Sequence, residues 1–442
     1  MAASPSKRQK VASPSTADNL IDGEFVPPSG GQHLDVLSPS TGQVVGRVAL
    51  SSERDVQLAV AKGLAAFKSW RETTIKARAA VMLKFHALMV QHQGDAGRRA
   101  VAVAIAELTD TIRIPVCWLR GAGGHCGAGE RQEPHGGARQ RAEGQRDGRI
   151  INGTVDPVNS LCDHPNVAVV TFVGSSRVAQ LVARRCRALD KRVLALGGAK
   201  NHLVALPDAD IEVASKDIVA SYAGCAGQRC MAASILLLVG DCTALLDMIV
   251  EKSKELSRGT EAGQVGALID EDSKTRVLKY INEAEAGGVK VLVDGRSWAK
   301  ESNGFWVGPT VLLHTNPNDA AMRDEIFGPV LSVYRVSSFD EAIRIENGND
   351  YGNAAAIYTS NGAYAEYFQS RFRAGMIGVN IGIPVPREPF SFGGMYGTKS
   401  KYGDMDITGD GCVEFFSTRR KITTKWSTVI HSGDAANFSG QM

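Results

Sequence analysis

Val167-Ala168-Val169-Val170-Thr171-Phe172-Val173 is an almost wholly apolar run that ends in Gly174-Ser175-Ser176 and leads into a helical pattern from Arg177 to about Leu189. An apolar run of strand length closed by a glycine-serine turn reads as a buried strand. Arg192 to Leu196, closed by Gly197-Gly198, and Leu203 to Leu206, ended by Pro207-Asp208, repeat the pattern. This strand–helix–strand alternation predicts an α/β fold with a mostly parallel sheet and crossover helices. The turn at Gly174 and Ser175 sits at a helix N-terminus, where free amide N–H groups and the helix dipole favour a phosphate. It is not a G-x-G-x-x-G turn, so the feature alone is also explained as an ordinary strand end.

Toward the N-terminus, Ile21-Asp22-Gly23-Glu24-Phe25-Val26 predicts a hairpin around an Asp-Gly turn. Val44 to Val48 reads as a strand. Val56, Val60, Leu64 and Phe67 give a helical face, with Ser52 and Asp55 as its cap. A second helix is predicted from Ile75 to Val90, with Ala77, Ala80, Met82-Leu83 and Leu88 on one side. From Gly94 to Ile150 the periodicity fades, and Gly121 to Arg149 is rich in Gly, Arg, Gln and Glu. A reading-frame error or a misjoined exon explains that composition better than a genuine linker, because so long a structureless loop inside a compact domain is unusual.

Toward the C-terminus, two strands flanking a helix are predicted between Ile235 and Val293, and Val413 to Trp426 reads as a surface strand. The 442 residues are enough for two or three domains. Hydrophobic residues at 43% and charged residues at 22% match a globular protein. A net charge of +3 argues against a nucleic-acid binder, and no apolar run is long enough to span a membrane. Residues 1–17 lack an apolar h-region; they are Ser-rich and basic, which suits a poor organelle transit peptide or, more simply, a disordered tail. The eight cysteines contain no C-x-x-C pair, so reduced thiols and no zinc are expected.

Chemistry concentrates in Gly224-Cys225-Ala226-Gly227-Gln228-Arg229-Cys230. Small neighbours let a carbonyl approach the Cys230 thiol, and the adjacent guanidinium favours the thiolate. A cysteine among small residues is also, commonly, a packing group, and no spacing rule separates the two. Asp404-Met405-Asp406-Ile407-Thr408-Gly409 begins like a calcium loop, but its twelfth position is Phe415 and not a glutamate. It reads as the loop before the last strand, and no metal is expected.

Gly227-Gln228-Arg229-Cys230, Phe172-Val173-Gly174-Ser175, Gly198-Ala199-Lys200-Asn201-His202 and Glu325-Ile326-Phe327-Gly328-Pro329-Val330 resemble the aldehyde dehydrogenase superfamily in order and approximate spacing. Cys162-Asp163-His164-Pro165, Gly227 to Met231 and Val379-Asn380-Ile381-Gly382-Ile383-Pro384-Val385-Pro386 are similar to its CoA-acylating methylmalonate-semialdehyde dehydrogenase branch. The resemblance covers about 19–93 and 151–426. It implies a parallel-sheet cofactor domain, an α/β catalytic domain and a C-terminal oligomerisation strand. In those terms the chain divides into a tail at 1–18, the first part of the cofactor domain at 19–93 and an aberrant segment at 94–150. The rest of the cofactor domain follows at 151–202, the catalytic domain at 203–392, a return and oligomerisation arm at 393–428 and a second tail at 429–442.

The resemblance implies that Cys230 attacks an aldehyde, that hydride passes to NAD, and that CoA releases the acyl group. The reaction so implied is oxidative decarboxylation of methylmalonate or malonate semialdehyde to propionyl-CoA or acetyl-CoA, a step of valine, thymine and other pyrimidine catabolism. Arg229 would pair with the substrate carboxylate. Gly174 and Ser175 would lie near the NAD pyrophosphate, Glu325 would hold the nicotinamide ribose, Phe327 would lie near it, and Gly197 would offer backbone to the nicotinamide amide. Leu196 stands where most relatives have a glutamate that activates water, which favours CoA over hydrolysis. Homo-oligomers, dimer or tetramer, and a mitochondrial location are implied, with cytoplasm the alternative; neither nucleic acid nor membrane is an expected partner.

The chain departs from the family in two places. It has no asparagine between Asn19 and Asn152 and no lysine between Lys84 and Lys191. The family's oxyanion asparagine and its ribose-binding lysine belong there, so impaired turnover and NAD binding are expected. A hydrolytic aldehyde dehydrogenase and an inactive remnant that only binds intact subunits are the rival readings.

Overall fold

The computed structural model describes residues 15–91, 149–300, 303–386 and 390–426. Almost all of the 94–150 segment therefore lies outside the described residues. The chain begins with β1 (Ser15–Ala17), β2 (Asn19–Ile21), β3 (Glu24–Val26), β4 (His33–Leu37) and β5 (Val44–Ala49). β2 and β3 form the expected hairpin. Asp22 and Gly23 both take positive φ, 56° and 74°, the backbone that a two-residue hairpin turn requires. α1 (Glu53–Trp70) and α2 (Ile75–Gln91) follow. At the start of α1 the Ser52 N–H donates to the Asp55 carboxylate at 2.9 Å, so the predicted cap is in place. α2 forms where expected, and Leu83 of its predicted apolar face is exposed.

α3 (Val155–Asp163), β6 (Val169–Val173), α4 (Ser176–Arg187) and β7 (Arg192–Leu196) form the strand–helix–strand unit from which the sequence was read. β6 and β7 pair in parallel from Val169↔Arg192 to Val173↔Leu196. Val170, Phe172, Val182 and Cys186 are buried in one cluster beneath α3 and α4.

The larger unit contains β8 (Asn201–Ala205), α5 (Ile211–Ala223), β9 (Ala233–Val239), α6 (Thr243–Lys254), α7 (Glu271–Ala286) and β10 (Lys290–Val293). Two helices, not one, therefore separate β9 from β10. It continues with α8 (Ser297–Lys300), β11 (Thr310–His314), α9 (Ala320–Arg323), β12 (Val330–Val336), α10 (Phe339–Asn347), β13 (Ala354–Tyr358), α11 (Gly362–Gln369) and β14 (Met376–Val379). The seven strands run in the order β10-β11-β12-β9-β8-β13-β14, and all neighbours are parallel except β10 and β11. β9 lies at the centre, and Ile235 to Leu238 are fully buried on both faces, as a central parallel strand demands.

The chain then returns. β15 (Lys401–Tyr402) pairs antiparallel with β7, which gives a three-stranded sheet in the order β15-β7-β6. The expected terminal strand is not formed. Gly409–Phe415 is a helix, α12, and residues 417–426 join no ladder. Cys412, Phe415 and Phe416 recur at helical spacing and pack on Val169, Leu194 and Leu196. Beyond them Ile422 and Trp426 are exposed. The acidic loop at 404–409 thus precedes a helix, and its Asp406 is ion-paired with Lys401 at 2.7 Å. Among the described residues no group of three His, Cys, Asp or Glu is placed to hold a metal. Nor is any described helix long and apolar enough to cross a membrane.

Candidate active site

The nucleophile loop hangs between α5 and β9. After Ala223, the residues Cys225, Ala226 and Gly227 all have positive φ, a left-handed turn that reverses the chain. Gly227 is obligatory for two reasons. Its φ is +67°, and a Cβ on it would lie 2.0 Å from the Gly328 carbonyl oxygen. This close approach brings Cys230 beside the segment that carries Glu325. Gln228 braces the loop from the other side: its Nε2 donates to the Ala267 carbonyl at 3.2 Å and its Oε1 accepts from the Ile269 N–H at 2.9 Å.

Cys230 is half-buried. Burial pushes its thiol above the usual range, and the Glu325 carboxylate adds to that. The amides of Cys230 and Met231, and the Arg229 guanidinium, pull the other way. The cation beside the thiol is therefore a smaller influence than its sequence position suggests. Arg229 instead wraps the end of α5. Its Nη2 donates to the carbonyls of Ala220 and Ser221, at 3.1 and 2.8 Å, which satisfies open groups at the negative end of the helix dipole. Its Nε is buried with no hydrogen-bond partner.

Glu325 is no solvated turn acid. Its Oε1 accepts the Ala199 N–H at 2.8 Å, and its Oε2 lies where a Cβ on Gly198 would be, 2.0 Å away. Burial pushes its carboxyl above the usual carboxylate range, while the Ala199 N–H, Lys200 and Arg276 oppose the rise. Lys200 is 3% exposed, and its Nζ donates to the Ala321 carbonyl at 2.8 Å. Burial pushes its pKa down to about 7, against the pull of Glu325 and Asp324. Phe327 also has a positive φ, 57°, which is uncommon for a bulky side chain. Arg229, Glu325 and Phe327 line one narrow pocket with Lys200 and Asn201.

The remaining predicted residues lie at the ends of β6 and β7. Gly174 donates to the Leu196 carbonyl, and Ser175 is the exposed N-cap residue of α4, with its hydroxyl making no cap bond. The Gly197 N–H is taken by the Ser400 carbonyl at 2.9 Å, so any backbone contact it offers must come from its carbonyl. Ser176, which sequence reasoning passed over, links the two groups: its Oγ donates to the Lys399 carbonyl and accepts from the Gly198 N–H. Leu196 is buried against Phe415 and Phe416, so that position holds no base.

The profile of the Aldehyde dehydrogenase family matches residues 25–103 and 149–422 and leaves 104–148 outside. A malonate-semialdehyde dehydrogenase of Geobacillus kaustophilus is 33% identical over 93% of this chain and 99% of its own. The acylating, mitochondrial methylmalonate-semialdehyde dehydrogenase of Arabidopsis thaliana is 34% identical over 100% of this chain and 84% of its own. Among solved structures, the methylmalonate-semialdehyde dehydrogenase of Oceanimonas doudoroffii superposes with a TM-score of 0.82 at 27% identity, covering 94% of this chain and 99% of that one. A Sinorhizobium meliloti protein assigned the same activity and solved with NAD gives 0.82 at 28% identity, with 95% and 99% covered. The α/β fold, the half-buried thiol on its left-handed turn and the matched sequence lead to one conclusion: this chain belongs to the aldehyde dehydrogenase family.

Proposed function

We propose that this chain oxidises methylmalonate or malonate semialdehyde with NAD, releases the substrate carboxylate as carbon dioxide, and passes the remaining propionyl or acetyl group to CoA. The buried, unpartnered Nε of Arg229 carries the reading. An unpaired guanidinium N–H next to the nucleophile is a costly feature unless an anionic group completes it, and a carboxylate matches its geometry. Cys230 attacks the aldehyde carbon and forms a thiohemiacetal, which becomes a thioester after oxidation. NAD, when bound, supplies the hydride acceptor. Gly174 and Ser175 offer a helix N-terminus for its pyrophosphate, while Glu325 and Phe327 flank its nicotinamide ribose. With Leu196 apolar and buried, no carboxylate at that position activates water, and a thiol acceptor releases the acyl group. The test is NADH formation from methylmalonate semialdehyde, with mass spectrometry of the product. CoA-dependent release of propionyl-CoA supports the proposal, and free acid formed without CoA would refute it.

We further infer that turnover is low. Loss of one oxyanion donor typically costs about a hundredfold to a thousandfold in rate, and the chain has no asparagine between Asn19 and Asn152 and no lysine between Lys84 and Lys191 to match the family's pair. Ordinary turnover, or ordinary NAD affinity by calorimetry, would overturn this. The exposed Ile422 and Trp426 support a homo-oligomer in which residues 417–426 add to a second copy's sheet. Light scattering on the chain truncated after Phe416 tests it: an unchanged molecular mass would count against it. The compartment we infer is mitochondrial, as for the Arabidopsis relative, and imaging a full-length fusion would check it.

A further inference from the structure

The carbonyl oxygen of Cys230 is held by two side-chain amides. Asn201 Nδ2 donates to it at 2.8 Å and Asn353 Nδ2 at 2.9 Å. The second proton of each amide goes to the same short loop. Asn201 also donates to the Ala232 carbonyl at 2.7 Å, and Asn353 to Met231 Sδ at 3.2 Å. All four amide protons are thus spent on residues 230–232. Both side chains are buried, Asn201 at 1% and Asn353 at 7% exposure. Asn201 lies on β8 and Asn353 immediately precedes β13, the neighbouring parallel strand. The Ala354 N–H donates to Asn201 Oδ1 at 3.1 Å and locks the two elements together. The clamp therefore stands on the central sheet and not on the loop it holds.

Two buried amides are an expensive way to fill a core, since each must find partners for every polar atom. What they fix here is the orientation of one peptide unit. A trans peptide is planar, with its carbonyl and the following N–H pointing in opposite directions. Clamping the Cys230 carbonyl on one side turns the Met231 N–H to the other. That N–H and the amide of Cys230 itself are the backbone groups that pull the thiol down. Without the clamp the peptide could rotate and present a carbonyl dipole to the thiolate instead.

We propose that Asn201 and Asn353 are positioning residues for the nucleophile: by clamping the Cys230 carbonyl they aim the Met231 N–H at the sulfur and so favour the reactive thiolate. The inference rests on Cys230 being the nucleophile, but not on the identity of the substrate. The groups that face the sulfur are few. Burial and the Glu325 carboxylate disfavour the thiolate, and Arg229 and the two amides favour it. The clamp acts on one of these five influences and leaves the others in place.

The experiment reads the thiol itself, so failure of the turnover assay leaves it interpretable. Carbamidomethylation of Cys230 by iodoacetamide is followed against pH by peptide mass spectrometry in the full chain. The exposed Cys225, on the same loop, is measured in the same digest. With Asn353→Ala the pH midpoint at Cys230 rises, and its reaction rate at neutral pH falls about three- to tenfold, because one thiolate hydrogen bond is lost. Cys225 keeps its midpoint. Asn353→Ser, too short to reach the carbonyl, gives the same result if the alanine variant does not fold. A folded variant whose Cys230 midpoint is unchanged would overturn the proposal. A parallel shift at Cys225 would overturn it too, because a general loosening of the loop would then explain the change.

Discussion

Glu325 leans on Gly198. Its Oε2 occupies the place of the absent Cβ, 2.0 Å from where that atom would be built, while Oε1 accepts the Ala199 N–H. The missing side chain of one residue is the seat of the other's carboxylate.

Gly198→Ala should therefore move function more than stability. The obstructing atom is the end of a flexible side chain, so Glu325 can swing aside at a cost of about 1 kcal/mol or less. It would lose the Ala199 bond and its place over the pocket. NAD affinity, measured by calorimetry, is expected to fall about tenfold or more while the urea midpoint scarcely moves. Unchanged affinity would separate Glu325 from the cofactor.

Gly227→Ala should behave in the opposite way. Here the obstruction is backbone, the Gly328 carbonyl at 2.0 Å, and φ is +67°. Neither can give way locally. Overpacking and the positive φ together should cost about 2–4 kcal/mol, read as a lower urea midpoint. A variant as stable as the parent would show that the contact between the nucleophile loop and the Gly328 segment is soft.

Much of this geometry left a local trace in the sequence, and some left none. The Asp22-Gly23 hairpin, the Ser52–Asp55 cap and the β6–α4 unit are specified by residues close in the chain, so pattern alone predicts them. The Cys230 carbonyl and Asn353 are 123 residues apart, and Ser176 and the Lys399 carbonyl 223. Such contacts are set by how strands stack, and no periodicity records them. Arg229 shows the reverse error. Adjacency in sequence suggested a cation aimed at the thiol, but the guanidinium is turned onto the open carbonyls of α5. The tail failed for a third reason. Val413, Phe415 and the residues after them alternate in part like a strand, yet Cys412, Phe415 and Phe416 share a helical face, and burial against β6 and β7 decides between the two.

Two buried bases should make stability rise with pH. Burial pushes His202 down to about 3 and Lys200 down to about 7, from model-compound values of 6.5 and 10.5. Between about 3 and 6.5 the unfolded chain binds a proton at His202 that the folded chain excludes. The same holds for Lys200 between about 7 and 10.5. In both windows stability falls as pH falls. Urea midpoints for His202→Leu should depend less on pH than the parent's between about pH 4 and 6.5, and those for Lys200→Met less between about pH 7.5 and 9.5. Identical slopes in parent and variant would remove that residue as the cause.

Arg229→Lys separates the two duties of this side chain. A lysine ammonium can still meet the α5 carbonyls as a point charge, so the loop should remain folded and Cys230 should still react with iodoacetamide. It has no counterpart to the buried Nε–H and cannot present a planar fork to a carboxylate. For methylmalonate semialdehyde, kcat/KM should fall about 30- to 160-fold, the worth of a charge-assisted hydrogen bond of about 2–3 kcal/mol. For propanal, which has no carboxylate to lose, it should change little. Equal losses on both aldehydes would assign Arg229 wholly to holding the end of α5. A loss confined to the carboxylated substrate would place the unpartnered Nε at the carboxylate.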